Sequence, residues 1–525
     1  MGASAAERSP RRRPSRRWSG RGLFGDHLRR IPTLYYAIAF GYVMLRVAAV
    51  FGTTVSGGFP DSATYRAAPG GASFTFVSFT GHAIRPWVVP LFYKVLPSDN
   101  LRSASQVAIS IIAWLVLAAT IAVSLRDRWV RGFAFAVVLA ISCTTPVLNW
   151  DRAILSESLS ISLVVLALAA WIRFVHKPTG ANSVAVVVSS GLWMFTKLGL
   201  FPLVGIAALI IAVTAVRAGQ RQLRVAVVVG LACACAWVAS TTSATDKAYR
   251  VVDGLSTSEF DNLFAMRLRF SILNDPGQLA WFEAHGMPDP SGLQPYVRTS
   301  PSDDGYETWT PFLTAFAARR DLGAWVEDKG RGVFARYIVT HPRETTADFI
   351  HDLPYMLDPP RNEIVYATDV RDVLPTAVQS LLFDTASAQV PTPAGLGDVG
   401  LLFAGFVVLA IVARRHAIDR VSVAVATVGF VLGILGAALG WVASPAEMAR
   451  HAVPEAVLIR VTLWFGIFVL ADGLRAPRVP RSDRRSHLPG WPGVVDSDRR
   501  GGRQLVNELV SEELGPRRDG DPIDP

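Results

Sequence analysis

Hydrophobic residues in this 525-residue chain gather into long blocks divided by short polar stretches. Ten blocks lie near 32–52, 103–125, 131–148, 153–175, 181–196, 199–216, 225–241, 398–413, 421–441 and 454–473. Several reach the roughly 17–25 residues that a bilayer-spanning helix needs. The pattern predicts an all-α polytopic membrane protein with about ten transmembrane helices, the fifth and sixth blocks forming a tight hairpin.

The polar stretches fall into two sets. One set is basic: Arg126, Arg128 and Arg131; Arg173 and Lys177; Arg217, Arg221 and Arg224; Arg414, Arg415 and Arg420; then Arg475, Arg478, Arg481, Arg484 and Arg485. Short Lys/Arg-rich loops stay in the cytoplasm, so both termini are predicted inside the cytoplasmic (inner) membrane. One span more or fewer would move every later basic loop to the wrong side. Outside lie 53–102, the turns at 149–152 and near Lys197, the long segment 242–397, and 442–453. Residues 84–97 suit an interfacial or re-entrant helix, with Trp87, Phe92 and Tyr93 at headgroup level. The predicted plan is therefore a basic disordered arm (1–31), a seven-span module (32–241) with the external loop 53–102, an external and mostly helical segment (242–397), three C-terminal spans (398–474) and a disordered cytoplasmic tail (475–525). Within the external segment, helices are expected over 278–285, 311–329 and 333–340. Turns are expected at Asp303-Asp304-Gly305 and Asp358-Pro359-Pro360.

Composition agrees with a membrane protein. Charged residues make up 18% of the chain, against about 25% in soluble proteins. The net charge of +10 does not indicate nucleic acid, because the arginines sit in the tails and inner loops. The run from Arg8 to Arg21, broken by Pro and Ser, reads as a lipid-facing arm rather than a cleaved signal peptide. The three cysteines, Cys143, Cys233 and Cys235, all fall inside predicted spans. They read as small apolar packing residues, and disulfides are not expected to hold an outer domain together.

Ionisable residues at membrane depth are expensive and default to functional candidates. Here the mixed ones share the outer boundary: Asp61 with Tyr65, His82 with Arg85, Asp151 with Arg152 and Glu157, Lys197, and Glu447 with Arg450 and His451. Asp61, in Phe59-Pro60-Asp61-Ser62-Ala63-Thr64-Tyr65, suits two roles: the cap of a short helix, or a general base that deprotonates an acceptor hydroxyl. Arg85 suits bidentate phosphate binding or a snorkelling interface anchor. Glu157 needs a cation: pairing with Arg152 or Lys197, or a place in a substrate or metal site. Arg450 and His451 are open to the same two readings. No P-loop, dinucleotide fingerprint or nucleophile elbow is present.

Three of these stretches resemble the GT-C superfamily of integral-membrane glycosyltransferases, especially bacterial protein-mannosyltransferase-like and arabinosyltransferase-like members. The first is Asp61 after the first span, in Pro60-Asp61-Ser62-x-x-Tyr65. The second is Arg85-Pro86-Trp87-x-x-Pro90-Leu91-Phe92-Tyr93 in the same loop. The third is Ser156-Glu157-Ser158-Leu159, which opens the fourth span. The resemblance covers roughly 32–241, with the Glu447–His451 loop beside it, and implies a seven-span module with an elaborated first external loop. It implies an inverting enzyme with a polyprenyl-phosphate sugar as donor and a glycan, lipid or protein acceptor outside the membrane. Asp61 would be the base. Arg85, Lys197 and Arg450 would hold the leaving phosphate, and Tyr65, His82, Arg152, Glu157, Glu447 and His451 would support the site. Some members use a divalent cation; a single acid stands here in place of the usual adjacent acidic pair. The alternatives are a transporter or flippase for a lipid-linked or anionic solute, and a non-catalytic membrane scaffold.

Overall fold

The computed structural model describes residues 33–57, 60–66, 85–197, 200–215, 221–252, 259–297, 306–357, 369–382, 397–413, 418–443 and 448–475. The predicted arm 1–31, nearly all of the tail and the two predicted turns lie outside them. Among the described residues the regular structure is helical, and the one β-type pairing is an isolated bridge between Ser56 and Ala153.

The chain opens with α1 (Thr33–Val50), the short α2 (Pro60–Arg66) and α3 (Val88–Val95). There follow α4 (Asp99–Ser124), α5 (Arg128–Ser142), α6 (Thr145–Arg152), α7 (Glu157–His176), α8 (Gly180–Met194), α9 (Phe201–Ala215) and α10 (Arg221–Val252). Each predicted span overlaps a helix, but not every such helix is long enough to cross a membrane. Six helices are long and apolar enough to cross a membrane: α1, α4 and α7, most of α10 and α19, and most of α20; the last two are defined below. The α5–α6 pair, bent by 50°, makes a seventh if counted as one span. Pro146 at the start of α6 accounts for the break, since it lacks the N–H that a continuous helix would use. The apolar parts of α8, α9 and a later helix, Gly397–Ala413, are shorter than a typical span.

Starts and stops follow local chemistry. Ser98 caps α4 by accepting from the Leu101 N–H. Asp127 caps α5 by accepting from the N–H groups of Trp129 and Val130, and Thr179 caps α8. The α7 helix lies at the centre, packed on α4, α8 and α20. Its Ser158, Ser160 and Ser162 are buried, the small residues that let membrane helices approach closely. A fully buried ion pair joins Arg46 of α1 to Asp151 of α6. Arg46 also donates to Ser110 of α4 at 2.7 Å, and Ser158 of α7 donates to Asp151 at 2.6 Å. One charge pair thus ties four helices together.

The segment 242–397 contains α11 (Glu259–Phe270), α12 (Pro276–Ala284), α13 (Tyr306–Ala318), α14 (Arg320–Trp325), α15 (Arg331–Thr340), α16 (Pro342–Leu357) and α17 (Thr376–Leu382). Around Phe264, Phe282, Phe312 and Trp325 it builds its own core. The last helices are α18 (Gly397–Ala413), α19 (Arg420–Ala443) and α20 (Met448–Arg475). Arg267 of α11 anchors on α19: its guanidinium lies 4.3 Å from the Trp441 ring centroid, and burial lowers its pKa to about 10. The end of α16 packs among α18, α19 and α20. There the Leu357 carbonyl accepts from Arg460 at 2.9 Å.

Candidate functional site

The site begins with a clamp. The Ser56 N–H donates to the Arg152 carbonyl, and the Ile154 N–H donates to the Ser56 carbonyl, both at 2.9 Å. This fixes the strand-like stretch before α2 against the entry to α7, so that Asp61 and Glu157 come to the same end of the bundle. In α2 the Thr64 hydroxyl donates back to the Asp61 carbonyl at 2.7 Å. Tyr65 is buried, and burial pushes its phenol up. It stays neutral and donates to Ser156 at 3.0 Å. Tyr93 of α3 reaches the same entry, donating to the Leu155 carbonyl at 2.6 Å.

Asp61 sits in the first turn of α2. One of its oxygens accepts from Arg85 at 2.5 Å and the other from Arg450 at 2.7 Å. Arg85 is steadied by a bond to Thr64 at 2.9 Å and by the Tyr65 ring, 4.9 Å from its guanidinium. Arg450, buried in the first turn of α20, bridges onward to the fully buried Glu157 at 2.8 Å. Lys197, at the end of α8, approaches the same Glu157 oxygen at 3.4 Å. Glu157 opens α7, where the helix dipole favours a negative charge. Among these described residues three cations face two carboxylates.

The cluster therefore joins Asp61, Tyr65, Arg85, Glu157, Lys197 and Arg450. Asp61 lies within the first turn of α2 rather than before it, and both its carboxylate oxygens meet guanidinium groups. Glu157 pairs with Arg450 and Lys197. Arg152 is directed elsewhere, donating to Ser103 at 3.0 Å and to the Thr53 carbonyl. His451 meets Lys197 through its carbonyl, at 3.5 Å. His82 and Glu447 lie outside the described residues. No group of three or more His, Cys, Asp or Glu side chains comes together among the described residues. Among the described residues Arg450 stands between Asp61 and Glu157.

Three aromatic rings next to Arg85, to Lys197 and in α10 pack together. Trp87 lies 5.3 Å from Phe195 and 5.9 Å from Trp237, and Phe195 lies 4.7 Å from Trp237. Trp237 is 42% exposed.

Sequence reasoning gave no site role to three buried polar residues described here, Ser156, Arg46 and Glu455. Ser156 links Tyr65 to Glu157. Arg46 belongs to the buried pair described above. Glu455, further along α20, is buried, and neither carboxylate oxygen has a hydrogen-bond partner among the described residues. A charge inside an apolar block was the available signal for Arg46 and Glu455. No protein-family model, curated protein or solved structure matches this chain.

Proposed function

We propose that this chain is a membrane glycosyltransferase. It moves a sugar from a polyprenyl-phosphate carrier to an acceptor hydroxyl on the outer face of the cytoplasmic membrane, with Asp61 as general base. The observation that carries this reading is the meeting of Asp61, Arg85, Glu157, Lys197 and Arg450 at one end of an apolar helical bundle. Their excess of one positive charge suits a phosphodiester, which carries a single negative charge. The packed rings of Trp87, Phe195 and Trp237 suit the isoprenoid tail of the same molecule. The resemblance to the GT-C superfamily adds support, because its three segments (Asp61 to Tyr65, Arg85 to Tyr93, Ser156 to Leu159) are the ones that come together. Ten spans, counting α8, α9 and α18, keep every basic loop on the inner side.

In this reading the donor phosphate draws Arg85 and Arg450 to its own oxygens and releases Asp61. The acceptor hydroxyl then gives its proton to an Asp61 oxygen as its own oxygen bonds to the anomeric carbon. The bond from that carbon to the phosphate oxygen breaks, and the electron pair leaves on the polyprenyl phosphate. Attack from the opposite side inverts the anomeric centre. Arg85, Arg450 and Lys197 stabilise the charge that develops on the leaving group.

The test is transfer from a radiolabelled polyprenyl-phosphate sugar in membranes containing wild type or Asp61→Asn. Loss of a general base lowers transfer by about 10²–10⁴-fold; undiminished transfer by a folded variant removes the role given to Asp61. One observation favours a second reading, transport of an anionic lipid-linked solute: Glu455 is a buried carboxylate of the kind that relays protons in transporters. Solute uptake into vesicles that needs Glu455 but no acceptor would select it.

A further inference from the structure

At the other end of α7 from Glu157, a cavity of about 380 Å³ opens between α7, α8, α9, α19 and α20. Its walls are apolar, with Leu168, Trp171, Val204, Ile211, Val425 and Leu458 among them, and Arg224 and Arg420 stand at its rim. Val421, 43% exposed, lies on its membrane-facing side. From Val164 to Val175, both lining residues, the groove runs roughly 16 Å at the helical rise of 1.5 Å per residue. That is about half of the roughly 30 Å hydrocarbon core of a bilayer, the depth of one leaflet.

The rim attracts anions. Arg224 and Arg420 belong to the first turns of α10 and α19, where the orphan N–H groups and the helix dipole already carry partial positive charge. A cation there is unfavourable unless an anion joins it. The Arg224 Nε is buried with no hydrogen-bond partner among the described residues. The neighbouring acid, Asp419, is engaged by His176 at 2.9 Å and Ser422 at 2.6 Å.

We propose that this groove binds an anionic glycerophospholipid of the leaflet opposite the Asp61 cluster, one acyl chain lying in the groove and the phosphate on Arg224 and Arg420. A polyprenyl donor with its phosphate at Asp61 would occupy the other end of the bundle, so this site is separate from sugar transfer. In the orientation given by the basic loops it faces the cytoplasmic leaflet, whose surface is negative. Bound there, the lipid fills the gap between the α7–α8 and α19–α20 helix pairs.

Native mass spectrometry of the full chain tests this, with titration by phosphatidylglycerol and phosphatidylcholine of matched acyl chains. Wild type is expected to retain phosphatidylglycerol roughly tenfold better or more, from two arginines at a membrane surface. Arg224→Gln with Arg420→Gln should abolish the preference. Ala424→Trp, which fills the groove from its lipid-exposed side with both arginines intact, should lower retention of both lipids. The proposal is overturned if the glutamine variant keeps the preference, or if Ala424→Trp leaves phosphatidylglycerol retention unchanged. It is equally overturned if polyprenyl phosphate displaces phosphatidylglycerol stoichiometrically. Should the glutamine variant not fold, the Ala424→Trp comparison decides alone.

Discussion

At the scale of single residues, the two arginines on Asp61 differ in burial, and their removal should read differently. Arg450 is 2% exposed and shares a fully buried Glu157. Breaking a buried pair costs about 3–5 kcal/mol because a charge is left without its partner. Lys197, 3.4 Å from the same Glu157 oxygen, should hold Arg450→Ala near the lower end of that range, measured by thermal unfolding in detergent. Arg85, at 19% exposure, forms a part-buried pair with Asp61, so its loss costs less than that of the fully buried pair, nearer the about 0–1 kcal/mol of exposed pairs. Arg85→Ala should therefore melt close to wild type while losing transfer. Equal loss of stability in both variants would contradict this division. The sequence pointed to Asp61, Arg85, Glu157, Lys197 and Arg450 through their shared membrane boundary. It could not say that Arg450 sits on Asp61 as well as Glu157, because a contact across 389 residues leaves no local trace. Arg152 has the same local context as its neighbours, and its bonds to Ser103 and the Thr53 carbonyl turn it away.

Helix pairs carry the next level. The α19 helix meets α20 along Gly429, Gly433 and Gly436, a small-residue spacing that lets membrane helices approach closely. A Cβ at Gly433 would lie 2.6 Å from Ile459 Cγ1 and 3.3 Å from the Glu455 carbonyl, and backbone cannot swing aside. Gly433→Val should cost about 1–3 kcal/mol by overpacking. Gly440, with nothing within 4 Å, should accept Ala without loss, and a comparison of the two melting temperatures checks both. Where α7 ends, His176 and Ser422 donate to Asp419 and hold its carboxyl below the usual carboxylate range. A carboxyl with a lowered folded pKa contributes stability above its unfolded value near 4 and loses it as the pH falls further. The melting gap between wild type and Asp419→Asn should be largest between about pH 4 and 6, where the carboxyl is ionised and His176 protonated, and should shrink as the pH drops below about 4. Such helices were legible as apolar blocks. The bend at Pro146 and the descent of α16 were not. The first half of α16, Pro342-Arg343-Glu344-Thr345-Thr346-Ala347, is polar, and only Leu353, Met356 and Leu357 enter the core.

Over the whole molecule, the sidedness of the charges makes a topological prediction. Ala63, exposed in α2 between Asp61 and Tyr65, should react as Ala63→Cys with a membrane-impermeant thiol reagent in intact cells. Arg420→Cys, at the opposite end of α7, should react only after permeabilisation; the reverse pattern would invert the orientation and remove the external reaction. The basic loops are what this prediction rests on. The contents of the bundle were harder to read, because Arg46, Arg460 and Glu455 interrupt apolar blocks whose average hydropathy hides them. Arg450 also sets an order in time. It follows Glu157 by 293 residues, so at about 5–20 residues per second of synthesis roughly 15–60 s pass between them. Until α20 inserts, Glu157 lies in the membrane without its nearest cation and Asp61 lacks one of its two arginines. The last helix therefore completes the cluster: a chain truncated before it leaves Glu157 with Lys197 and Asp61 with Arg85 as their cations among the described residues.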